Sequence, residues 1–327
     1  MISVARTRKV TVAALICGVD VSSISLDARV GPQGSEARFE NTPEGVGRLI
    51  AFCHEYGVEL VAMEATGGYE RLAFGLLWGS SVPVALLNPR AVRRFAQGMG
   101  LEEKTDRIDA GVIAWFAEVK NVVPTQPASA AQARLEAMVT RLRQLTELHA
   151  AQRNQRLLVS EPSVLDSFGE LLALVKTQIR ALEKTIAELI AADPLWQQLD
   201  TAFRSIKGVA GRTVSRLMAE MPEIGTASNK AVSKLAGLAP LAKDSGKTQG
   251  KRVVRGGRSN VRTILYVVAD VVRRYNPDFA AFADRLRAAG KPKKVIRIAL
   301  AHKLLVRLNA KAREVRQPHL TAVCSTC

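Results

Sequence analysis

Near the start of the chain, apolar and polar residues alternate with a period of two in several short runs; further along, the period moves toward 3.6. Val10 to Val19 reads as a strand, Ser25 to Val30 as a second, and Glu36 to Phe39 as a third behind the turn signal Gly31-Pro32-Gln33-Gly34. Val46, Leu49, Ile50 and Cys53 form a helical stripe within Gly45 to Tyr56. A strand from Glu59 to Met63, a helix from Tyr69 to Trp78, a strand from Val82 to Leu87 and a helix from Pro89 to Gly98 follow, and Thr105 is placed to cap a last helix to Val119. The order βββαβαβα predicts an α/β domain of the ribonuclease H-like kind. A dinucleotide-binding domain would alternate β and α from the outset.

Pro124 to Pro127 reads as a linker. Beyond it Leu135, Met138, Leu142, Leu145 and Leu148, and then Leu171, Leu174, Ile179, Leu182, Ile186 and Leu189, recur at three- and four-residue steps. Glu161-Pro162-Ser163 interrupts them, so two long helices either fold as a hairpin or dimerise as a coiled coil. Ser205 to Ala210 followed by a helix from Gly211 to Met221 resembles a helix-hairpin-helix, whose glycine turn offers backbone N–H groups to a phosphate. A glycine-rich basic loop from Pro240 to Asn260, an apolar helix from Val261 to Val272 and further basic helices complete a mainly helical end. The expected domains are 1–125, 126–198 and 199–327.

Charge sharpens this picture. The 327 residues carry a formal +17, and from Leu241 to Cys327 there are 20 Lys and Arg against 5 Asp and Glu, a net +15. A polyanion is the expected partner, and its binding surface is mostly C-terminal. No apolar run is long enough to span a bilayer. Basic residues before Val10 resemble the start of a signal peptide, but Gly18-Val19-Asp20 stands where a small-residue cleavage site would be, so a cytoplasmic protein without membrane contact is expected. Cys17, Cys53, Cys324 and Cys327 form no disulfide framework, and the terminal C-x-x-C lacks a second ligand pair.

Asp20 ends an apolar strand and Glu64 follows another that can lie beside it, while Asp106 and Asp109 share one turn of the final helix. Converging carboxylates repel one another, and divalent cations remove that penalty, which is the requirement of two-metal phosphoryl chemistry. Glu70, Glu102 and Glu103 fit surface helix or loop better. In the basic loop, Ser245 lies between glycine and lysines in a field that stabilises alkoxide and phosphate charge, and Ser259 is an equal competitor on local chemistry. Lys243, Lys247, Lys251, Arg255, Arg258 and Arg262 are the expected nucleic-acid contacts.

Gly18-Val19-Asp20-Val21-Ser22, Met63 to Tyr69, Asn88-Pro89 and Lys104 to Ala110 resemble the N-terminal half of the DEDD transposases of the insertion sequence one-ten family, related to the Piv DNA invertases. Leu235 to Pro240, Asp244-Ser245-Gly246, Gly256-Gly257-Arg258 and Arg262 to Tyr266 resemble that family's C-terminal domain. The resemblance implies a RuvC-like domain binding Mg2+ through Asp20, Glu64, Asp106 and Asp109, and it selects Ser245 over Ser259 as the nucleophile that takes a DNA strand as a phosphoserine link. It also implies donor and target DNA, a guide (bridge) non-coding RNA and a composite site, and recombination of two duplexes favours a homodimer or homotetramer. Lys207 departs from the pattern where relatives often carry proline. A RuvC-like junction nuclease using the acids alone, a sugar-kinase-like ATPase and a non-catalytic nucleic-acid-binding protein are the alternatives; the ATPase lacks its second glycine-rich half here.

Overall fold

The computed structural model describes residues 15–101, 106–242, 244, 250 and 252–324, and their side chains except those of 106–108 and 318–324. Two compact units are present, Met1–Ala128 and Ser129–Cys327.

In the first unit, β1 (Ile16–Val21) pairs antiparallel with β2 (Ser25–Val30), and β2 pairs antiparallel with β3 (Glu36–Glu40). On its other side β1 runs parallel to β4 (Leu60–Glu64), which runs parallel to β5 (Val84–Leu87), giving the order β3-β2-β1-β4-β5. The two-residue period separates two apolar faces. Cys17, Val19, Val61 and Met63 pack with α1 (Pro43–Glu55) and α2 (Glu70–Gly79). Ile16, Leu60, Ala62 and Leu87 pack with α3 (Pro89–Gly98) and α4 (Asp106–Lys120). This is the mixed α/β arrangement that the element order predicts. Thr42 and Asn88 cap α1 and α3, each followed by a proline at the first helical position, so the start of each helix is set locally.

The two edges of the sheet differ. At one, β3 alternates Glu36, Arg38 and Glu40 with Ala37 and Phe39, and salt bridges join Arg29 to Glu36 at 3.2 Å and Arg38 to Asp27 at 3.7 Å. At the other, Thr125 lies along β5, its N–H donating to Val84 O at 2.8 Å and its hydroxyl accepting from Leu86 N at 2.9 Å.

The second unit is mainly helical. The long α5 (Ala130–Arg156) and α6 (Pro162–Ala192) pack as a hairpin, followed by α7 (Pro194–Arg204), α8 (Gly211–Glu220) and α9 (Asn229–Leu235). A small antiparallel pair, β6 (Pro240–Leu241) and β7 (Val253–Val254), precedes α10 (Ser259–Tyr275), α11 (Pro277–Ala288) and α12 (Lys293–Cys324). Leu135, Val139, Leu142 and Leu145 of α5 share one core with Leu199, Leu217, Leu265 and Leu304, so the hairpin is continuous with the C-terminal helices. Among the described residues no helix is long and apolar enough to cross a membrane.

The glycine-rich loop before α10 is built on backbone contact. Gly257 has φ +62°, and a Cβ there would stand 2.5 Å from Leu235 O, so only glycine lets the loop lie against the end of α9. Replacing Gly257 by alanine is expected to destabilise the second unit by about 1–3 kcal/mol through strain and overpacking. Urea unfolding followed by tryptophan fluorescence checks this; an unchanged midpoint would show that the loop can move away from α9.

Candidate active site

In β1 the side chains of Ile16, Gly18 and Asp20 share one sheet face, and in β4 those of Leu60, Ala62 and Glu64 share the same face. The register pairs Gly18 with Ala62 and Val19 with Met63. Asp20 and Glu64 are each one residue further, at the carboxyl ends of neighbouring parallel strands. This is the end of an open α/β sheet where ligands usually bind.

The face they share is the one covered by α4. A Cβ on Gly18 would collide with the Ala110 carbonyl and stand 2.6 Å from Ala114 N, so the helix backbone rests directly on the strand. At the far end of α4, Glu118 approaches Gly31, whose N–H donates to Ile16 O at 2.7 Å. The C-terminal half of α4 therefore lies by the start of β1, and its first turn points toward the end that carries Asp20 and Glu64. Asp109 sits in that turn beside the buried Ala110. The amino end of the helix dipole favours negative charge there. Asp106 is the first residue of α4, and its side chain lies outside the described residues. Asp20, Glu64 and Asp109 are each half-buried. Among the described residues no three His, Cys, Asp or Glu side chains converge on a single point. Asp20 and Glu64 on the sheet face and Asp109 on the helix that covers it are hard oxygen donors of the type that suits Mg2+.

Two features escape a reading of the sequence. Asp27 is the register partner of Asp20, so β2 brings a further carboxylate to the same face, where Arg38 pairs with it. Glu70, expected on the surface, is instead 9% exposed and organises the loop that follows Glu64. Its Oε2 accepts from Gly68 N at 2.8 Å, Thr66 Oγ1 at 3.0 Å and Thr66 N at 3.1 Å. Burial opposes the charge, but these donors together with its own N–H outweigh it and lower the carboxyl below its ordinary value. Asn41 joins this loop to the turn after Asp20, its amide donating to Tyr69 O at 3.0 Å and Ser22 O at 2.9 Å.

In the second unit, a single Arg252 nitrogen, Nη1, donates to both carboxylate oxygens of Asp244 at 2.8 and 2.9 Å, between β6 and β7, and Gly250 N donates to Asp244 at 3.1 Å. Ser245, Lys243, Lys247 and Lys251 lie outside the described residues. Arg255 is exposed. Arg258 instead engages Glu223 through two 2.6 Å hydrogen bonds and donates its N–H to Leu235 O at 2.7 Å. Arg262 donates to Gly256 O at 2.6 Å. These two guanidiniums hold the glycine-rich loop in place, so of the three arginines Arg255 has the side chain most open to a ligand. At the resemblance to a helix-hairpin-helix, Gly208 has φ +100° and lies against Val272, with a Cβ position 3.0 Å from the Val272 backbone. α8 begins without a side-chain cap.

The family model DEDD_Tnp_IS110, described as a transposase, matches residues 17–159, and the model described as Transposase IS116/IS110/IS902 family matches residues 200–284. The chain belongs to the IS110-type transposases. The pilin gene-inverting proteins of Moraxella bovis and Moraxella lacunata are each 28% identical over 91% of this chain and 96% of their own length. An insertion element IS110 uncharacterized 43.6 kDa protein of Streptomyces coelicolor is 31% identical over 46% of this chain and 37% of its own. The solved structure of Thermus thermophilus RuvC covers 34% of this chain and 99% of its own at 20% identity, with a TM-score of 0.25. As an IS110-type transposase the protein is an enzyme that cuts and rejoins DNA, and transposases of the DEDD type generally use divalent metal ions.

A carboxyl held below its ordinary value stabilises the fold above that range, and its contribution is lost as pH falls through the lowered value. Glu70→Gln is therefore expected to cost about 1–3 kcal/mol at neutral pH and progressively less in acid, measured by urea unfolding across the acidic range. An equal loss at every pH would mean that packing, and not the charge, holds the loop.

Proposed function

We propose that this transposase cuts and rejoins donor and target DNA with Ser245 as nucleophile and with Asp20, Glu64, Asp106 and Asp109 holding Mg2+, guided by a non-coding RNA and working as a homodimer or homotetramer. The observation that carries the reading is that Asp20 and Glu64 share one face at the carboxyl ends of neighbouring strands, with α4 and its Asp109 packed over that face, in a chain matched by transposase models in both halves.

Mg2+ held by these acids would neutralise the phosphate under attack and steady the departing oxygen. Ser245 Oγ bonds to phosphorus, the phosphorus–oxygen bond to the departing strand breaks, and that strand leaves as a hydroxyl carrying the serine's proton. The retained strand is held as a phosphoserine ester. A hydroxyl from the incoming strand then attacks the ester and releases the serine with its proton restored. Lys243, Lys247 and Lys251 neighbour the nucleophile in the chain and favour negative charge there. Arg255 adds to the contact surface, and the net +15 of the last 87 residues suits a load of both DNA and RNA.

The test combines purified protein, Mg2+, labelled donor and target DNA and the flanking RNA, followed by denaturing electrophoresis. Wild type is expected to give a denaturation-resistant protein–DNA adduct that Ser245→Ala lacks, and Asp20→Asn is expected to lose cleavage while keeping salt-dependent DNA binding. Nicked DNA without adduct from both wild type and Ser245→Ala would overturn the serine role and leave a RuvC-like nuclease. Recombination by Asp20→Asn would overturn the metal site.

A further inference from the structure

The helix α12 presents two stripes. Ile296, Leu300, Leu304 and Leu308 enter the core of the second unit. Val295, Ile298, His302 and Val306 line a groove of about 830 Å³ whose other wall includes Leu238, Val253, Val254 and Phe282. Val253 and Val295 remain 56% and 49% exposed, so the groove holds apolar surface in contact with water. Arg252, Arg285, Lys294, Lys303 and Arg307 border it; Arg252 is paired with Asp244 and Arg307 with Asp278, so Arg285, Lys294 and Lys303 carry most of the positive charge offered by the rim. Lys303 and Arg285 lie 4.7 and 5.2 Å from the Phe282 ring centre, which keeps two cations against an aromatic floor.

Lys294 also borders a second cleft, of about 440 Å³, lined by Arg273, Arg287, Lys291, Lys293 and Arg297. Asp270 is the only carboxylate among its described lining residues, and it is shared by Arg273 at 3.2 Å, Arg274 at 3.5 Å and Arg297 at 3.9 Å. One acid among so many bases leaves the cleft strongly cationic.

From this juxtaposition of an apolar groove and a cationic cleft through Lys294 we infer that the two together form a binding track for unpaired, single-stranded DNA. Phosphates fit the cleft and rim, and exposed base faces fit the groove floor. A duplex keeps its base faces stacked inside and would leave the floor wet. Deoxyribose suits the floor better than ribose, because a 2′-hydroxyl laid against Val253, Val295, Ile298 and Phe282 would give up water without gaining from that contact. On the floor, His302 Nε2 is engaged with Ser233 Oγ at 3.0 Å. Such a track is additional to the reaction proposed above and does not depend on its serine or its metal.

The experiment uses the full-length protein in EDTA, so that neither cleavage nor metal binding enters the readout. Fluorescence anisotropy compares oligo-dT, oligo-rU and a duplex of matched length. Val295→Asp and Val253→Asp change exposed side chains outside the core, and circular dichroism checks that each variant is folded. Each is expected to weaken oligo-dT binding by about tenfold or more while leaving duplex binding nearly unchanged, and wild type is expected to bind oligo-dT more tightly than oligo-rU. Equal losses on single strand and duplex, or no loss on either, would overturn the track. Binding of oligo-rU as tight as oligo-dT would overturn its assignment to DNA. A changed sedimentation coefficient with intact oligo-dT binding would overturn it in favour of a second copy of this chain.

Discussion

The N-terminal unit depends on a single close approach, the backbone of α4 resting on β1 at Gly18. Strands and helices normally stand apart by the depth of their side chains. Here the missing Cβ removes that spacer, and the carbonyl of Ala110 and the N–H of Ala114 occupy the space a side chain would need. The contact sets the height of the helix above the sheet and with it the position of its first turn. Because Asp20 lies two residues beyond Gly18 on the same face, and Asp109 directly precedes Ala110, one steric constraint governs the spacing of groups from two separate elements. Asn41 and Glu70 extend that control to the loops by fastening the turn after β1 to the loop after β4.

Much of this unit was readable from side-chain period alone. A two-residue alternation in Gly18-Val19-Asp20 and Ala62-Met63-Glu64 puts each acid in phase with a small residue, and small residues mark the face where a helix sits close. Asp27 escaped notice because its membership of that face depends on antiparallel register, which a run of six residues does not specify by itself. Glu70 looked like an ordinary first-turn acid. Its role arises from Thr66 and Gly68, whose donors point inward only once the two glycines of that loop adopt positive φ. Arg258 shows the same limit at longer range, since its partner Glu223 lies 35 residues upstream and nothing local distinguishes it from Arg255.

Positive charge in the second unit is accordingly of two kinds. Arg258, Arg262 and Arg252 have guanidinium groups engaged by carboxylates or a carbonyl and act as fasteners of turns. Arg285, Lys293 and Lys294 are exposed and border the concave surfaces around the start of α12. Net charge alone counts both kinds equally, so composition points to the C-terminal part of the chain without separating the groups that could contact a ligand from those that hold the loop.

The treatment of the sheet edges carries a consequence for how copies of the protein can meet. Edge strands with unpaired amides invite another chain to add a strand, a route to both domain swapping and aggregation. The charged, cross-paired β3 discourages that on one side, and Thr125 occupies amide and carbonyl positions of β5 on the other. With templated growth disfavoured by charge at one margin and by Thr125 at the other, side-chain surfaces are the easier route for self-association of this unit than a continuous inter-subunit sheet.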